Sequence, residues 1–549
     1  MKTKMKSVLL TVIGFVFALC LAVVCGLGFK PAYTVSANTD SSLKMEDGAQ
    51  VRLVANNPGL RFTASISTEE YEAVKAASGT FGMFILPNAY RTSVGEINEA
   101  TAFGDSAVYC WDSAVDGKTQ IIHCSTDNLT QTSTDGNTTY FACAITNIKV
   151  ENYEGDFFAR AYYEVNGERT WADANETNVR SVSYVAQKVL GYEKAGTYTP
   201  SATGKTALLE YVTQFEEVDA ESFYVADFTD GSTLTVNDTA YTSADDMFAA
   251  LTTGRHTVIV THSDGSTWDI PFVYADYVIR NSEDLLGLVD YYVDNDTNTT
   301  TTAVTLSNKY IVVANDVTCA AGDTLTHSVL GTTLFGSTFD GYGHAIKNLT
   351  IGNNRRGLLG ALDATTVKDF ALVNVTVTAT NSPSSGLCGN VQANSKLENV
   401  FVSGAVTKAG TQRHLFAQEI KGAVENCIVV DTSYNDLKVV LGNAAKKAVL
   451  GTMPTANTDA TLTNVIVKTH ISSSYALNDG STAADTMLVE DERITNCTKI
   501  GHTATADLRT ALETFVALVD DEGNKVNNFT YDATTYTLYL NGNAIYTVA

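Results

Sequence analysis

The segment Leu397-Glu398-Asn399-Val400-Phe401-Val402 carries the pattern that decides the fold: an aliphatic residue, any residue, Asn or Asp, and then alternating apolar residues. Five segments share this pattern, and successive starts are 21, 30, 27 and 38 residues apart. A coil of this length cannot bury its apolar face alone, whereas stacked coils form one continuous core. The repeat therefore predicts a right-handed parallel β-helix, which we place at residues 276–500. The five segments are 346–351, 367–372, 397–402, 424–429 and 462–467.

The Asn or Asp of the repeat is expected at the same place in each coil. Such a side chain bonds neighbouring backbone groups and tolerates a tight turn, so stacked copies predict a polar ladder. Glycine-flanked apolar patches at 357–360 and 386–389 lie between the segments, and we interpret 415–416 as a decayed copy. The predicted ladder residues are Asn348, Asp369, Asn399, Asn426 and Asn464.

The stretch 335–349, Phe-Gly-Ser-Thr-Phe-Asp-Gly-Tyr-Gly-His-Ala-Ile-Lys-Asn-Leu, resembles the start of the GLUG-type repeat region of bacterial surface proteins and IgA-protease-like adhesins. The Gly-Leu-Leu-Gly at 357–360 matches the element that names that motif. The likeness covers about residues 303–469. The first module, with Arg-Ser-Val-Ser-Tyr-Val-Ala at 180–186, also resembles a module of clostridial secreted surface proteins. These resemblances imply an adhesin-like surface protein.

The N-terminus has the pattern of a secretory signal peptide. Three lysines within the first six residues precede an apolar stretch from 8 to 29, and Val35-Ser36-Ala37 is a small-residue cleavage site. We therefore predict a signal peptide at 1–37 and a protein that is secreted or held at the cell surface. An uncleaved anchor is the alternative, because an apolar stretch of this length can span a bilayer. The end of the chain shows no hydrophobic tail, so we expect no covalent wall anchoring and no other membrane contact.

Composition limits the partners. The chain has 36 basic and 61 acidic residues, a net charge of -25, which repels phosphate backbones and makes a nucleic-acid partner unexpected. Beyond the signal peptide the cysteines show no C-x-x-C spacing, so no zinc site is expected. A disulfide among Cys110, Cys124 and Cys143 is left open.

The length of 549 residues and the many short alternating segments predict a mainly β, multi-domain protein. Two Asp-Gly pairs, at 230–231 and 264–265, are predicted to form hairpin turns. Around the β-helix we predict a β-sandwich or α+β module at 45–196, a linker at 197–220, a β-grasp-like or Ig-like ββαββ spacer at 221–275, and a small module or a cap for the open end of the solenoid at 504–549.

An enzymatic groove would need converging side chains. A glycosidase uses a pair of carboxylates, and the repeats offer Asp340, Asp363 and Asp369 without a repeated Asp-Asp element. A lyase would use a basic residue with acidic calcium ligands, and no acidic cluster accompanies Arg355 and Arg356. We therefore predict no catalytic residues.

Four residues remain as candidates for ligand binding, although a structural role is favoured for the first two: Asp340, His344, Arg355 and Arg356. Asp294, Asp296 and Asn298 alternate like the start of a calcium loop, but the Gly and closing Glu of an EF-hand are absent. No cofactor is therefore expected, with calcium as a weak alternative. Three tryptophans are interpreted as core residues or as platforms for sugars: Trp111, Trp171 and Trp268.

Together these features favour a secreted or cell-surface binding protein that is not catalytic and whose β-helix presents a platform to extracellular glycans or proteins. One alternative is a carbohydrate-active enzyme, a polysaccharide lyase or hydrolase, that uses a groove of the β-helix. A second alternative is a purely structural envelope protein.

Overall fold

The structure, a computed structural model, describes residues 41–53, 58–111, 116–125, 130–218, 231–295, 306–325, 333–352, 357–378, 384–407, 413–432, 451–452, 459–469, 477–478, 493–501 and 504–548. The predicted signal peptide lies outside these residues. The described chain forms two compact units, one up to Val212 and one from Thr213 onward. Within these ranges, no helix is both long enough and apolar enough to cross a membrane.

The first unit is a sandwich of two antiparallel sheets. Its strands are β1 (Lys44–Met45), β2 (Gln50–Arg52), β3 (Gly59–Ser67), β4 (Thr80–Pro87), β5 (Tyr109–Cys110), β6 (Thr119–Gln120), β7 (Ile122–Ser125), β8 (Thr130–Thr132), β9 (Thr138–Thr146), β10 (Phe157–Val165) and β11 (Glu168–Trp171). Its helices are α1 (Thr68–Ala76), α2 (Asn88–Val94), α3 (Glu99–Ala102), α4 (Val182–Lys194) and α5 (Ala202–Val212), with 3₁₀ turns at Val150–Asn152 and Glu176–Asn178.

The sandwich core lies between the two sheets. One sheet has the order β1-β3-β9-β8 with β2 also on β3, and the other has the order β11-β10-β4-β7. Side chains that alternate along the strands, such as Phe62, Phe141 and Met83, point between the sheets and are almost fully buried. A disulfide joins Cys124 on β7 to Cys143 on β9, and thus links the two sheets.

The second unit begins with a five-stranded sheet. Its elements are β12 (Gln214–Glu217), β13 (Thr233–Val236), β14 (Thr239–Tyr241), α6 (Ala244–Ala250), β15 (Gly254–Thr261) and β16 (Thr267–Ala275), in the sheet order β12-β16-β15-β13-β14. The first strand falls within the stretch that the sequence suggested as a linker, and it pairs in parallel with β16.

The sequence did not predict one hairpin turn of this sheet. The β13–β14 turn is Asn237-Asp238, both with positive φ, which Asn and Asp tolerate. Of the predicted turn at 230–231, Asp230 lies outside the described residues, and Gly231 has a φ of 93°. The second predicted Asp-Gly does lie between β15 and β16, and Gly265 there has a φ of 83°.

A parallel β-solenoid follows the small sheet. Its elements are β17 (Tyr277–Ile279), α7 (Ser282–Asn295), β18 (Tyr310–Val313), β19 (Val317–Thr318), β20 (Thr324–Leu325), β21 (Thr333–Phe335), β22 (Thr338–Asp340), β23 (Ala345–Lys347), β24 (Thr350–Ile351), β25 (Ala361–Asp363), β26 (Thr366–Val377), β27 (Ser384–Ser385), β28 (Cys388–Val391), β29 (Lys396–Val406), β30 (Arg413–His414), β31 (Ala417–Ile420), β32 (Ala423–Asp431), β33 (Gly451–Thr452), β34 (Thr461–Thr469), β35 (Leu477–Asn478), β36 (Ile494–Thr495) and β37 (Thr498–Gly501).

The solenoid coils stack through parallel ladders. The longest runs β17-β18-β22-β26-β29-β32-β34-β36, the second β21-β25-β28-β31-β33-β35, and the third pairs β27 with β30. Leu285 and Leu288 of α7 pack into the same core as the coils. The predicted mainly β, multi-domain fold with a C-terminal parallel solenoid is confirmed. The right-handed sense stays a prediction.

Register corrects the phase of one repeat. Val367 pairs with Phe339, whereas Ile346 pairs with Leu372. The segment 346–351 therefore belongs to a second corner of the coil. The confusion arises because the pattern aliphatic-x-Asn occurs at both corners, with Leu372-Val-Asn as the second copy in the next coil. One inward column of aligned residues is Phe339, Val367, Leu397, Val424 and Leu462, all fully buried.

The glycine-flanked patches stack directly on one another. The amide of Leu358 donates to the carbonyl of Gly386 at 2.9 Å, and the amide of Leu387 donates to that of Leu415 at 3.2 Å. The stretch at 415–416 thus occupies the same place in its coil. A Cβ on Gly357, which has a φ of 71°, would come within 2.7 Å of the backbone of Leu387, so this position requires glycine.

The C-terminal module contains α8 (Thr505–Val516), β38 (Phe529–Asp532), β39 (Thr537–Leu540) and β40 (Asn543–Thr547). It packs on a flank of the solenoid, and the cap at an open end stays a prediction. Apolar side chains point outward from successive coils on this flank. They form one core with Leu512 and Phe529 of the module, which shields them from water. The covered residues are Ala345, Ala371, Phe401, Ile428, Ile466 and Ile500.

Candidate functional site: the corner around Asp340 and Asp369

Four of the five predicted ladder residues share one corner of the solenoid. Strand pairing aligns Asp369 with Asn399, and then with Asn426 and Asn464. All have φ between 48° and 54°, the left-handed conformation that Asn and Asp tolerate. Asn348 does not join them. Its amide group stands at the other corner, where its Oδ1 accepts a bond from Nδ2 of Asn374 at 2.8 Å.

The ladder is shared with the C-terminal module. Asn399 donates to Asp369 at 3.0 Å and Asn464 donates to Asn426 at 2.9 Å. Between these two pairs, Asn426 donates to the carbonyl of Val526 at 2.6 Å, and the amide of Asn528 reaches Oδ1 of Asn399 at 3.3 Å. The ladder residues therefore bond neighbouring coils to each other and also bond the C-terminal module to the solenoid.

Asp369 is the residue at which three parts of the second unit meet. Its Oδ1 accepts a hydrogen bond from Nδ2 of Asn528 at 2.7 Å, in addition to the bond from Asn399. Its Oδ2 accepts from Nη2 of Arg255, on β15 of the small sheet, at 2.6 Å. A single buried carboxylate therefore bonds the solenoid, the C-terminal module and the small sheet.

Asp340 shares the same arginine. Arg255 donates through Nε at 2.6 Å to Oδ2 and through Nη2 to Oδ1, the two-pronged geometry that a guanidinium forms best. The hydroxyl of Tyr310 also donates to Oδ2, and the ammonium of Lys368 lies 3.6 Å from it. The backbone amide of Tyr342 donates to Oδ1 at 2.9 Å, which makes Asp340 the turn residue that the sequence suggested.

The electrostatics hold this cluster in one protonation state. Burial alone would raise the pKa of the fully buried Asp340, but the hydrogen bonds and charge of Arg255 outweigh it and lower that pKa. Burial and the negative charge of Asp340 together raise the pKa of Tyr310, so its hydroxyl stays a neutral donor. Both effects favour a fixed ion pair over a group that exchanges protons near neutrality.

The geometry does not resemble a glycosidase pair. Asp340 and Asp369 do converge, but both are buried and both are paired with Arg255. A general acid must reach the sugar oxygen and a nucleophile must reach the anomeric carbon. Asp363, the third candidate acid, lies on β25 in a different ladder of the solenoid.

His344 lies near this cluster but has its own partner. Its Nδ1 is 3.7 Å from Asp316, which also accepts a bond from Lys347 at 2.5 Å. Burial would raise the pKa of Asp316, but hydrogen bonds from His344 and Lys347 lower it to about 2. The other two predicted binding residues, Arg355 and Arg356, lie outside the described residues.

A second surface of the solenoid is left open. We call it the open face and define it as two outward rows on the longest ladder, in which each side chain is partly exposed. Lys396 bridges coils on this face, with 3.1 Å to Glu398 and 2.8 Å to Glu425. Its rows are Thr338, Thr366, Lys396, Ala423 and Thr461, and Lys368, Glu398, Glu425 and Thr463.

The remaining candidates are placed as follows. Trp111 and Trp171 are half-buried in an aromatic cluster of the first unit around Phe84, and Trp268 is buried in the small sheet. Asp294 is the penultimate residue of α7, and the other two members of the calcium-like pattern lie beyond the described residues. Across the part of the chain that is described, no group of three or more His, Cys, Asp or Glu residues is placed to hold a metal ion.

Sequence reasoning missed Arg255, although one signal was available. It is the only Lys or Arg between Lys205 and Arg280, within an acidic stretch. A solitary cation in such a stretch favours a specific carboxylate partner. That the partners would be 85 and 114 residues away could not be read from the pattern.

Comparisons with known proteins yield no relative. No protein-family model, no curated protein and no solved structure matches the chain.

Proposed function

We propose that this chain is an exported, non-catalytic binding protein whose solenoid presents the open face to an extracellular glycan or protein, in the manner of GLUG-type adhesins. The open face is the observation that carries the proposal. Coils in a parallel ladder repeat about every 4.8 Å. The face therefore offers regularly spaced hydroxyl, ammonium and carboxylate groups to an extended ligand.

Two further features support this proposal. The C-terminal module covers a different row of outward residues on the longest ladder, whereas the side chains of the open face are partly exposed among the described residues. The signal-peptide pattern at the N-terminus favours export, where glycans and surface proteins are the available partners. The acidic net charge favours neutral or cationic ligands over anionic ones.

The enzymatic alternative needs an acid and a base that reach a substrate. Asp340 and Asp369, the candidate acids that converge, are buried and paired with Arg255, which counts against this role. The structural-envelope alternative predicts no saturable ligand at all. A binding measurement therefore separates the structural alternative from the other two hypotheses, and a test for cleavage of the ligand separates those two.

The test is binding of the mature chain to an array of host and microbial polysaccharides and surface proteins. The variant T366A/K396A/T461A removes three partly exposed groups from one row of the open face. The control T119A/K149A/T206A removes the same residue types from the first unit. We expect the first variant to lose at least tenfold in affinity for the ligand and the control to bind normally. Equal binding by all three proteins would refute the assignment to the open face.

A further inference from the structure

The small sheet has a cavity of about 500 Å³ on the face opposite its own core. Thr257 pairs with Pro271 and Thr235 pairs with Ile259, so these four side chains share that face. Residues between them, such as Val258, are buried in the sheet's core. The cavity's size falls within the range of about 300–1,000 Å³ that small-ligand sites occupy.

The walls of the cavity combine polar groups with a small apolar patch. Asn237 and Asp238, from the β13–β14 turn, are both exposed and supply amide and carboxylate groups. Ile259 and Pro271 supply the apolar surface. Tyr342, from the solenoid, also lines the cavity, and its ring lies 4.8 Å from the guanidinium of Arg255.

Arg255 contributes a hydrogen-bond donor, Nη1, that its ion pairs do not use. Its bonds to Asp340 and Asp369 use Nε and Nη2 and leave Nη1 outside these ion pairs. The side chain is 32% exposed and lines the cavity. Its positive charge is already balanced by two carboxylates, and Asp238 adds a further negative charge. The site therefore offers hydrogen bonds without the net positive charge that an anion requires.

We propose that this cavity binds a neutral, hydroxyl-rich sugar unit. Hydroxyl groups of the sugar would accept from Arg255 and donate to Asp238, and its C–H face would pack on Ile259 and Pro271. The site is separate from the open face and stands whether or not that face binds a polymer. The lining combines a carboxylate, an amide and hydroxyl side chains with a small apolar patch, and such polar groups fix the orientation of a ligand in a pocket.

Saturation-transfer NMR on the full mature chain tests the site, with neutral tetrasaccharides of glucose, mannose and N-acetylglucosamine and a galacturonic acid tetramer as the anionic probe. The variant T257W fills the cavity, and D238G removes the carboxylate while keeping a residue suited to positive φ. The matched controls are T261W, on the same face of β15, and N166G, in the β10–β11 turn.

The expected result is a signal from at least one neutral probe that survives in both controls. It should weaken about tenfold or more in D238G, as loss of a hydrogen bond to a charged group predicts, and at least as much in T257W, whose indole occupies the cavity. A signal that persists in T257W would place the sugar elsewhere, including on the open face, and would overturn this site alone. No signal from any neutral probe, or tighter binding of the galacturonic acid tetramer, would also overturn it.

Discussion

Replacing Arg255 with Met should destabilise the second unit by about 3 kcal/mol at pH 7. The change leaves Asp340, which is fully buried, with only Lys368 at 3.6 Å as a nearby cation. Removing one partner of a buried ion pair costs about 3–5 kcal/mol. The lower end applies because the arginine side chain is 32% exposed.

The pH dependence gives this prediction a second readout. In the wild type, the lowered pKa of Asp340 stabilises the fold above its ordinary value of 3.8, and this contribution is lost as the pH falls through the lowered pKa. In R255M, burial is no longer offset and raises that pKa. The destabilisation by the buried charge then decreases as the pH falls from 7 towards 3.8, because Asp340 becomes protonated. The difference in free energy of unfolding between R255M and wild type should therefore become smaller.

Urea unfolding followed by tryptophan fluorescence measures this effect. In a W111F/W171F background the remaining fluorescence comes mainly from Trp268, which reports on the small sheet of the second unit. The control is R280M, whose pair with Glu217 is 3.9 Å long and exposed, and whose loss should cost less than about 1 kcal/mol.

The double variant R255M/D340N removes both charges and should recover at least about 1 kcal/mol relative to R255M, since coupled neighbours are not additive. A loss in R255M below about 1 kcal/mol, or a gap that stays constant with pH, would refute the assignment of Arg255 as the residue that neutralises this corner.

Three further predictions follow from the structure. N426G keeps the positive φ but removes one buried and one partly buried hydrogen bond of the ladder, so urea unfolding should show a loss of about 2 kcal/mol in the free energy of unfolding, whereas N541G in an exposed turn should change little. Peptide mapping without reduction should recover Cys124 linked to Cys143, and replacing both by Ala should cost about 3 kcal/mol; finding both as free thiols would contradict the link. Mass spectrometry of the exported protein should find cleavage after Ala37, and an intact N-terminus would favour the anchor instead.

The solenoid was predictable because its signal is local and repeated. Each copy of the motif, such as 397–402, is six residues long. It contains an aliphatic residue, then an Asn that forms a tight turn, and then residues that point alternately outward and inward. Stacking then follows from the need to bury one face. The phase of the first coil was not predictable from the same signal, because Asn348 and Asp369 have the same local sequence pattern but stand at different corners.

The corner cluster depends on contacts that no local pattern encodes. Asp340 and Asp369 were recognised as candidates, but their partner Arg255 comes from a different sheet, and Asn528 lies 159 residues beyond Asp369. The flank position of the C-terminal module was missed for a related reason. In the sequence, an outward apolar residue such as Phe401 cannot be told from the inward core residues beside it. The coil therefore has an inward and an outward apolar surface, and the C-terminal module covers the outward one.

The central claim is that the chain binds an extracellular polymer without cleaving it. Size-exclusion chromatography with light scattering, applied to the mature chain mixed with the polysaccharide it binds most tightly on the array, tests this claim directly. We expect a complex larger than either component and a polysaccharide whose own mass stays constant through a long incubation. A falling polysaccharide mass would show cleavage and would contradict the account in favour of a carbohydrate-active enzyme.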